Sequence, residues 1–363
     1  MHRAHKIKMY PNKAQEKLLW DAINCARAAY NWGLARWKAM WKAVEDGTST
    51  DKPSAFKLCK IWTVEREDWA REVAFCVQHN AIIDLGVAFT NFFKKKAEKP
   101  KHHKRGRKDS FRVDNDKAAI KNGKIRLPNI GWIKLAENLR FEGKIMSYTV
   151  STYADEWYVS VQVEMPDTES DIPDSVCGID VGLENHPAYA SDGTRLVLPL
   201  EKLHKLQAKL KRAQKALSRS QRNSHNRAKR LIKKQKVQQK INNIRSDATH
   251  KFTTKVCKSH ATVVIEDLNI EGMIKKAKFR AIKRAFNSSL MTQIHYQLSY
   301  KARHLIKGPR FFPSSKTCSN CGAIKSELPP NVRVYKCEHC GAVLDRDYNA
   351  ALNLMKLGLV KPE

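Results

Sequence analysis

The stretch from Thr317 to Met355 constrains this chain more than any other, because it joins a metal-site spacing to a helix start crowded with acids. Cys318 and Cys321 form one Cys-x-x-Cys pair, Cys337 and Cys340 form a second, and fifteen residues separate them. That is the spacing of a zinc ribbon. Four thiolates complete a tetrahedral shell and leave no position open for substrate, so the one zinc ion expected here is structural. His339 lies inside the second pair and can in principle ligate, but the paired spacing favours Cys340. Five residues after Cys340 comes the run Asp345-Arg346-Asp347-Tyr348-Asn349, which opens a helix expected over Ala350 to Leu357.

At 363 residues the chain is long enough for two or three domains with cores of their own. Its formal charge of +32 exceeds what solubility requires and points to a polyanion, because cations that neutralise phosphates release condensed counterions. Cys25, Cys59, Cys76, Cys177 and Cys257 are scattered without a pairing pattern, as in a reduced, cytoplasmic protein. The opening MHRAHKIKMYP lacks the apolar core of a signal peptide, and no window approaches the length of a membrane span. No membrane partner is expected.

Lys6 to Tyr10 alternates as a short strand, and Asn12 with Gln15 forms a capping box at the start of a helical region reaching about Lys96. The tryptophans of this region, Trp20, Trp32, Trp37, Trp41, Trp62 and Trp69, can stack on nucleobases, but core packing is their ordinary role. Lys94 to Lys108 holds nine Lys or Arg against one acid and reads as an exposed basic linker; Lys101, Lys104, Arg105, Arg107 and Lys108 are its candidate phosphate contacts. From Ser110 to Met165 the period changes to two, with Asn122-Gly123 as a hairpin signal and a second turn near Ala154 to Glu156. A small β-barrel is expected, starting with Lys6 to Tyr10 and carrying the helical region as an insert.

Val176 to Ile179 is an apolar run that ends on Asp180, and Ala261 to Ile265 is another that ends on Glu266. A carboxylate delivered by a buried strand is costly unless it meets a cation. Between them, residues 201–240 carry fifteen Lys or Arg and a single acid, Glu201, on helical apolar spacing. A basic helical hairpin is expected, with Lys211, Arg212, Arg219, Arg222, Arg227 and Arg230 as candidate nucleic-acid contacts, because acids to pair with these bases are nearly absent. Phe279 to Ile306 reads as helix. Asp180, Glu266 and Asp347 together can bind two Mg²⁺ or Mn²⁺ ions for phosphodiester cleavage, whereas any one of them alone reads as a cap or a surface ion pair; Asp345 or Asp347 can cap the last helix.

GIDVGL (178–183), VVIEDLNIEGM (263–273), FPSSKTCSNCG (312–322), YKCEHCG (335–341) and DRDYNAALNL (345–354) resemble the motif series of the TnpB family, with YPNKAQ and ARAAYNWGL similar to its opening segment. The resemblance implies a transposon-encoded, RNA-guided DNA endonuclease of α+β multidomain build. Residues 1–11 and 105–172 would form the wedge-like β-barrel, 12–104 a helical recognition insert, and 173–363 an RNase H-like RuvC domain with basic hairpin 201–258 and inserted zinc ribbon 313–344. It implies Asp180, Glu266 and Asp347 as the RuvC acids, Asp347 rather than Asp345 because it stands two residues before Asn349. It further implies a guide RNA and target double-stranded DNA as partners, one chain per RNA, in the prokaryotic cytosol at the nucleoid. An RNA-guided repressor and a guide-independent nuclease or transposase of the same fold are the alternatives. Two departures from the pattern stand out: Glu184 to Pro187 places an extra carboxylate after the first motif, and Gly308-Pro309 falls where the fold would place a strand.

Overall fold

Alternating apolar residues in the first half of the chain form a single antiparallel sheet in the computed structural model, which describes residues 2–106, 109–165, 172–183, 187–279, 282, 289–329 and 331–359. Two units result, Met1–Thr168 and Glu169–Glu363. The first opens with β1 (His2–Tyr10), followed by helices α1 (Lys13–Glu45), α2 (Ala55–Glu65), α3 (Asp68–Arg71) and α4 (Phe75–Phe93). Strands β2 (Ser110–Asp114), β3 (Ala119–Lys121), β4 (Lys124–Leu127), β5 (Gly131–Leu135), β6 (Lys144–Tyr153) and β7 (Glu156–Glu164) complete it. The seven strands lie in the order β2, β6, β7, β1, β5, β4, β3, so the first strand of the chain pairs in the middle, between β7 and β5. Among the described residues no ladder joins the two edges, β2 and β3.

Local chemistry accounts for the turns and caps. Asn122 and Gly123 have φ of +50° and +67°, the left-handed pair that a two-residue hairpin needs to match strand twist. Ala154 and Asp155 adopt the same geometry between β6 and β7 with no glycine to ease it. At the start of α1 the side chain of Asn12 accepts from Gln15 N (2.8 Å) while Gln15 accepts from Asn12 N (3.1 Å), which is the expected capping box. Two cores form in this unit: Ile7, Leu19, Ile23, Val150 and Val161 pack on the sheet, and Leu34, Leu58, Ile82, Leu85 and Phe89 pack among the helices. Trp37 and Trp62 belong to the helical core, the first stacked 4.4 Å from Phe89 and the second donating to Gln78 Oε1 at 2.8 Å. Trp69 is exposed.

The second unit is built on β8 (Val176–Asp180), β9 (Tyr189–Ala190), the helical hairpin α5 (Leu200–Ser218) and α6 (His225–Ser259), β10 (Thr262–Ile265), α7 (Ile270–Lys276), α8 (Met291–Lys301), β11 (His304–Lys307), β12 (Val334–Lys336), β13 (Val343–Asp345) and α9 (Arg346–Leu359). Strands β8, β10 and β11 are parallel and β9 runs antiparallel to β8, in the order β11, β10, β8, β9. The core is formed by Ile179, Val263 and Ile265 from the sheet with Phe252, Val256, Ile294 and Leu298 from α6 and α8. A fully buried aliphatic side chain of this kind contributes roughly 1.5–3 kcal/mol.

One expectation is corrected here. Phe279 to Ile306 is not a continuous helix: α8 ends at Lys301, Ala302 is extended, and His304–Lys307 is a strand. Its helical spacing is local, whereas the strand exists only because β10 offers it a parallel partner, Thr262 opposite His304. Gly308 N still donates to Ile265 O at 2.8 Å, and Pro309, which has no N–H, follows immediately. The sheet therefore accommodates the proline by a short strand at its edge. Residues 280, 281 and 283–288 of the expected helix lie outside the described residues, as does the Glu184 departure. Among the described residues no helix is long and apolar enough to cross a membrane.

Candidate active site and metal centre

Parallel pairing explains how two of the acids meet. Ile265 lies opposite Ile179, so the residues that follow, Glu266 and Asp180, emerge side by side where the parallel strands end. In open sheets with parallel strands this carboxyl end is where ligands bind. The third acid arrives on α9, which packs directly on β8. An added Cβ on Gly178 would lie 2.1 Å from Ala351 O and 2.4 Å from Met355 N, so only glycine lets the helix come this close.

Asp345 and Asp347 take different roles. Asp345 Oδ1 accepts from Asp347 N (2.9 Å) and Tyr348 N (3.2 Å) and so caps α9. Asp347, whose charge acts on Asp180, has Arg333 Nη1 at 3.4 Å from its carboxylate. The Asp180 carboxyl is pushed well above the ordinary aspartate range because burial strips its water, and because Glu266 and then Asp347 add negative charge; Arg346 offsets part of this. Glu266 and Asp347 thus lie near enough to Asp180 for their charge to hinder its ionisation, and carboxylate oxygens are the donors that hard divalent cations prefer.

Sequence reasoning missed the groups that hold these acids. Ser314 Oγ, itself buried, donates to Glu266 Oε1 at 2.5 Å. Asn353 Nδ2 donates to Ser314 O (2.8 Å) and Thr317 O (2.7 Å), while Asn349 donates to Thr317 O (2.7 Å) and accepts from Ser319 N (2.8 Å). These two buried asparagines, one helical turn apart on α9, tie the helix to the backbone just before and inside the first cysteine pair. Two asparagines at a four-residue spacing on a helix with small apolar neighbours were the available signal.

The four cysteines come together as the spacing demands. Cys318 and Cys340 sulfurs lie 3.7 Å apart and Cys321 and Cys337 sulfurs 3.6 Å apart, with all four within 4.8 Å. A tetrahedron with Zn–S near 2.3 Å has edges of about 3.8 Å, so the cluster fits zinc. Both knuckles have one design: Cys318 N donates to Ala323 O and Cys337 N to Ala342 O, both at 2.8 Å, around Gly322 (φ +80°) and Gly341 (φ +72°). Backbone N–H groups aimed at the sulfurs lower the thiol pKa of Cys337 and bring Cys340 down to about 6, the Ala342 amide acting most on the latter.

The candidate nucleic-acid residues separate by environment. Lys211, Arg212, Arg219 and Arg222 are exposed along the hairpin. Arg227, by contrast, donates to Leu217 O (2.9 Å) and Ser220 O (3.1 Å), and Arg230 to Ala216 O (3.1 Å), closing the end of α5. In the first unit Lys101 pairs with Glu98 (2.6 Å), Lys104 is exposed and Arg105 lies over the Trp20 ring at 5.4 Å. The linker is less free than its composition suggests, since His103 stacks on Tyr30 at 3.7 Å and exchanges hydrogen bonds with Asn31. Arg107 and Lys108 lie outside the described residues.

Comparison with known proteins adds a lineage. Residues 159–277 match the OrfB_IS605 family, described as a probable transposase, residues 288–354 match the Cas12f1-like TNB domain, and residues 1–46 match a helix-turn-helix domain of the OrfB_IS605 type. Residues 2–46 here are β1 and the single long helix α1. A Streptomyces pristinaespiralis protein designated "Putative RNA-guided DNA endonuclease" is 32% identical over 98% of this chain and 89% of its own. InsQ of Escherichia coli (strain K12), under the same designation, is 31% identical over 98% of this chain and 92% of its own. Among solved structures, a Cas12f1 in complex with sgRNA and target DNA has the same fold at a TM-score of 0.59 and 14% identity, covering 98% of both chains.

Proposed function

Because the chain belongs to the TnpB family, we propose that it is a transposon-encoded, RNA-guided DNA endonuclease whose cleavage site is Asp180, Glu266 and Asp347. What supports the site is geometry: Asp180 and Glu266 follow paired residues of parallel β8 and β10, and Gly178 lets α9, which carries Asp347, pack directly on β8. Two Mg²⁺ or Mn²⁺ ions held by these three residues would activate water and neutralise charge at the phosphodiester. The protein's own part is positioning. Ser314 fixes one Glu266 oxygen, the Asp345 cap sets the first turn of α9, and the asparagine ties lock that helix against the ribbon. On this reading 173–363 is an RNase H-like RuvC domain with hairpin 201–258 and a ribbon 313–344 holding one structural zinc, while the first unit is a wedge-like barrel (1–11, 105–172), without a ladder between β2 and β3 among the described residues, that carries a helical insert (12–104).

Sequence choice would then rest on pairing between a guide RNA and target double-stranded DNA, with the exposed hairpin cations on phosphate backbone. One chain per RNA, acting at the nucleoid of a prokaryotic cytosol, completes the proposal. The test is to purify the protein from cells, sequence the RNA it carries, and offer DNA matched to that RNA with Mg²⁺. Cleavage is expected, with loss of about a thousandfold or more in Asp180→Ala and with about one zinc per chain by elemental analysis. Matched DNA bound but uncut would favour a repressor instead; cutting without RNA would favour the unguided nuclease.

A further inference from the structure

A cavity of about 390 Å³ opens beside Glu266, and much of its wall is apolar. It lies within the size range of small-ligand sites, about 300–1,000 Å³. Leu268, Met273, Pro309, Phe311 and Phe312 supply an apolar lining, with Asn269 and Lys276 among the polar groups around it. Phe311 is the unusual member. The residue is 96% exposed, and its backbone sits at φ +128°, a value that bulky residues rarely adopt. Arg310 on one side pairs with Asp267 Oδ2 at 3.0 Å, which fastens this wall to the segment leaving β10. On the other side Phe312 leads to Ser314, the residue bonded to Glu266. The exposed ring is therefore anchored at both flanks and held beside a carboxylate of the proposed cleavage site.

We infer that this cavity is a nucleobase subsite, in which a base of single-stranded DNA flanking the scissile phosphate stacks on Phe311. The inference rests on the nuclease reading above. Carboxylates that gather cations hold the phosphate, and the neutral, flat group one bond system away is the base. An aromatic ring accepts any base by its π-face, so the subsite positions the strand without selecting sequence.

The 363-residue chain with the RNA it carries is incubated, with Ca²⁺ in place of Mg²⁺, with single-stranded DNA containing one 5-iodouracil, and irradiated. The expected adduct maps by mass spectrometry to Phe311 or Phe312 and is lost in Phe311→Ala but kept in Phe311→Trp. In parallel, Phe311→Ala is expected to raise KM for single-stranded substrate about tenfold, more than it lowers kcat, and Phe311→Trp to restore it. Adducts confined to residues outside the cavity, or a Phe311→Ala loss confined to kcat, would overturn the subsite even if matched DNA is cut. An adduct at Phe311 in a protein that cuts nothing would keep the subsite and overturn the nuclease reading.

Discussion

Asp180, Glu266 and Asp347 carry like charges around one end of a small sheet, and each is held there by a different device: strand register, a serine hydroxyl, and a neighbouring aspartate that takes over the helix cap. The cost of this arrangement falls on Asp180. An aspartate in an unfolded chain titrates near 3.9, and here the folded value is raised. The folded chain thus binds that proton more tightly, so the stability gained is complete below the unfolded pKa and is lost as pH climbs through the raised value. Asp180→Asn is therefore expected to melt several degrees higher than the wild type at pH 7 in chelator and to gain much less at pH 4, one pKa unit being worth about 1.4 kcal/mol. Scanning calorimetry at both pH values measures this. An equal gain at the two would mean that burial and the neighbouring acids are not what strains the site at Asp180.

Helix α9 is the element through which zinc ribbon and sheet act on one another. Its fit against β8 depends on Gly178, and its hydrogen bonds to Thr317 and Ser319 depend on Asn349 and Asn353. Gly178→Ala would drive a methyl into the backbone of α9 and is expected to destabilise the second unit by about 3 kcal/mol, the upper end of ordinary overpacking. Gly308→Ala is the matched control. Its added Cβ would come closest to the end of the Leu357 side chain at 3.2 Å, with Ile265 O and Leu354 Cδ2 at an ordinary 3.6 Å, so a change within about 1 kcal/mol is expected from denaturant midpoints. If the two substitutions cost the same, close packing of α9 on β8 is not what Gly178 provides.

At the scale of the whole molecule the charge of +32 predicts salt-sensitive binding to nucleic acid. Each phosphate neutralised on duplex DNA contributes about −0.9 to the slope of log K against log salt. Lys211→Gln with Arg212→Gln is expected to make that slope shallower by about 1–2, whereas Arg227→Gln, which breaks bonds to Leu217 O and Ser220 O, should change hairpin melting more than the slope. Filter binding across a salt series separates these outcomes, and an unchanged slope in the double variant would remove α5 as a phosphate contact. The sequence by itself determined what is encoded locally: the two zinc knuckles, the Asn122-Gly123 hairpin, the Asn12 cap, the basic excess and the acids placed after apolar runs. Those features follow from neighbours along the chain, whose spacing and conformational preference need no distant partner. Only the tertiary structure decided that His304–Lys307 is a strand, that Asp347 comes near Asp180, and that Ser314 reaches Glu266. Each of these depends on a hydrogen bond or a charge contact that exists only once remote segments pack, and no periodicity within one segment records which partner another segment will offer.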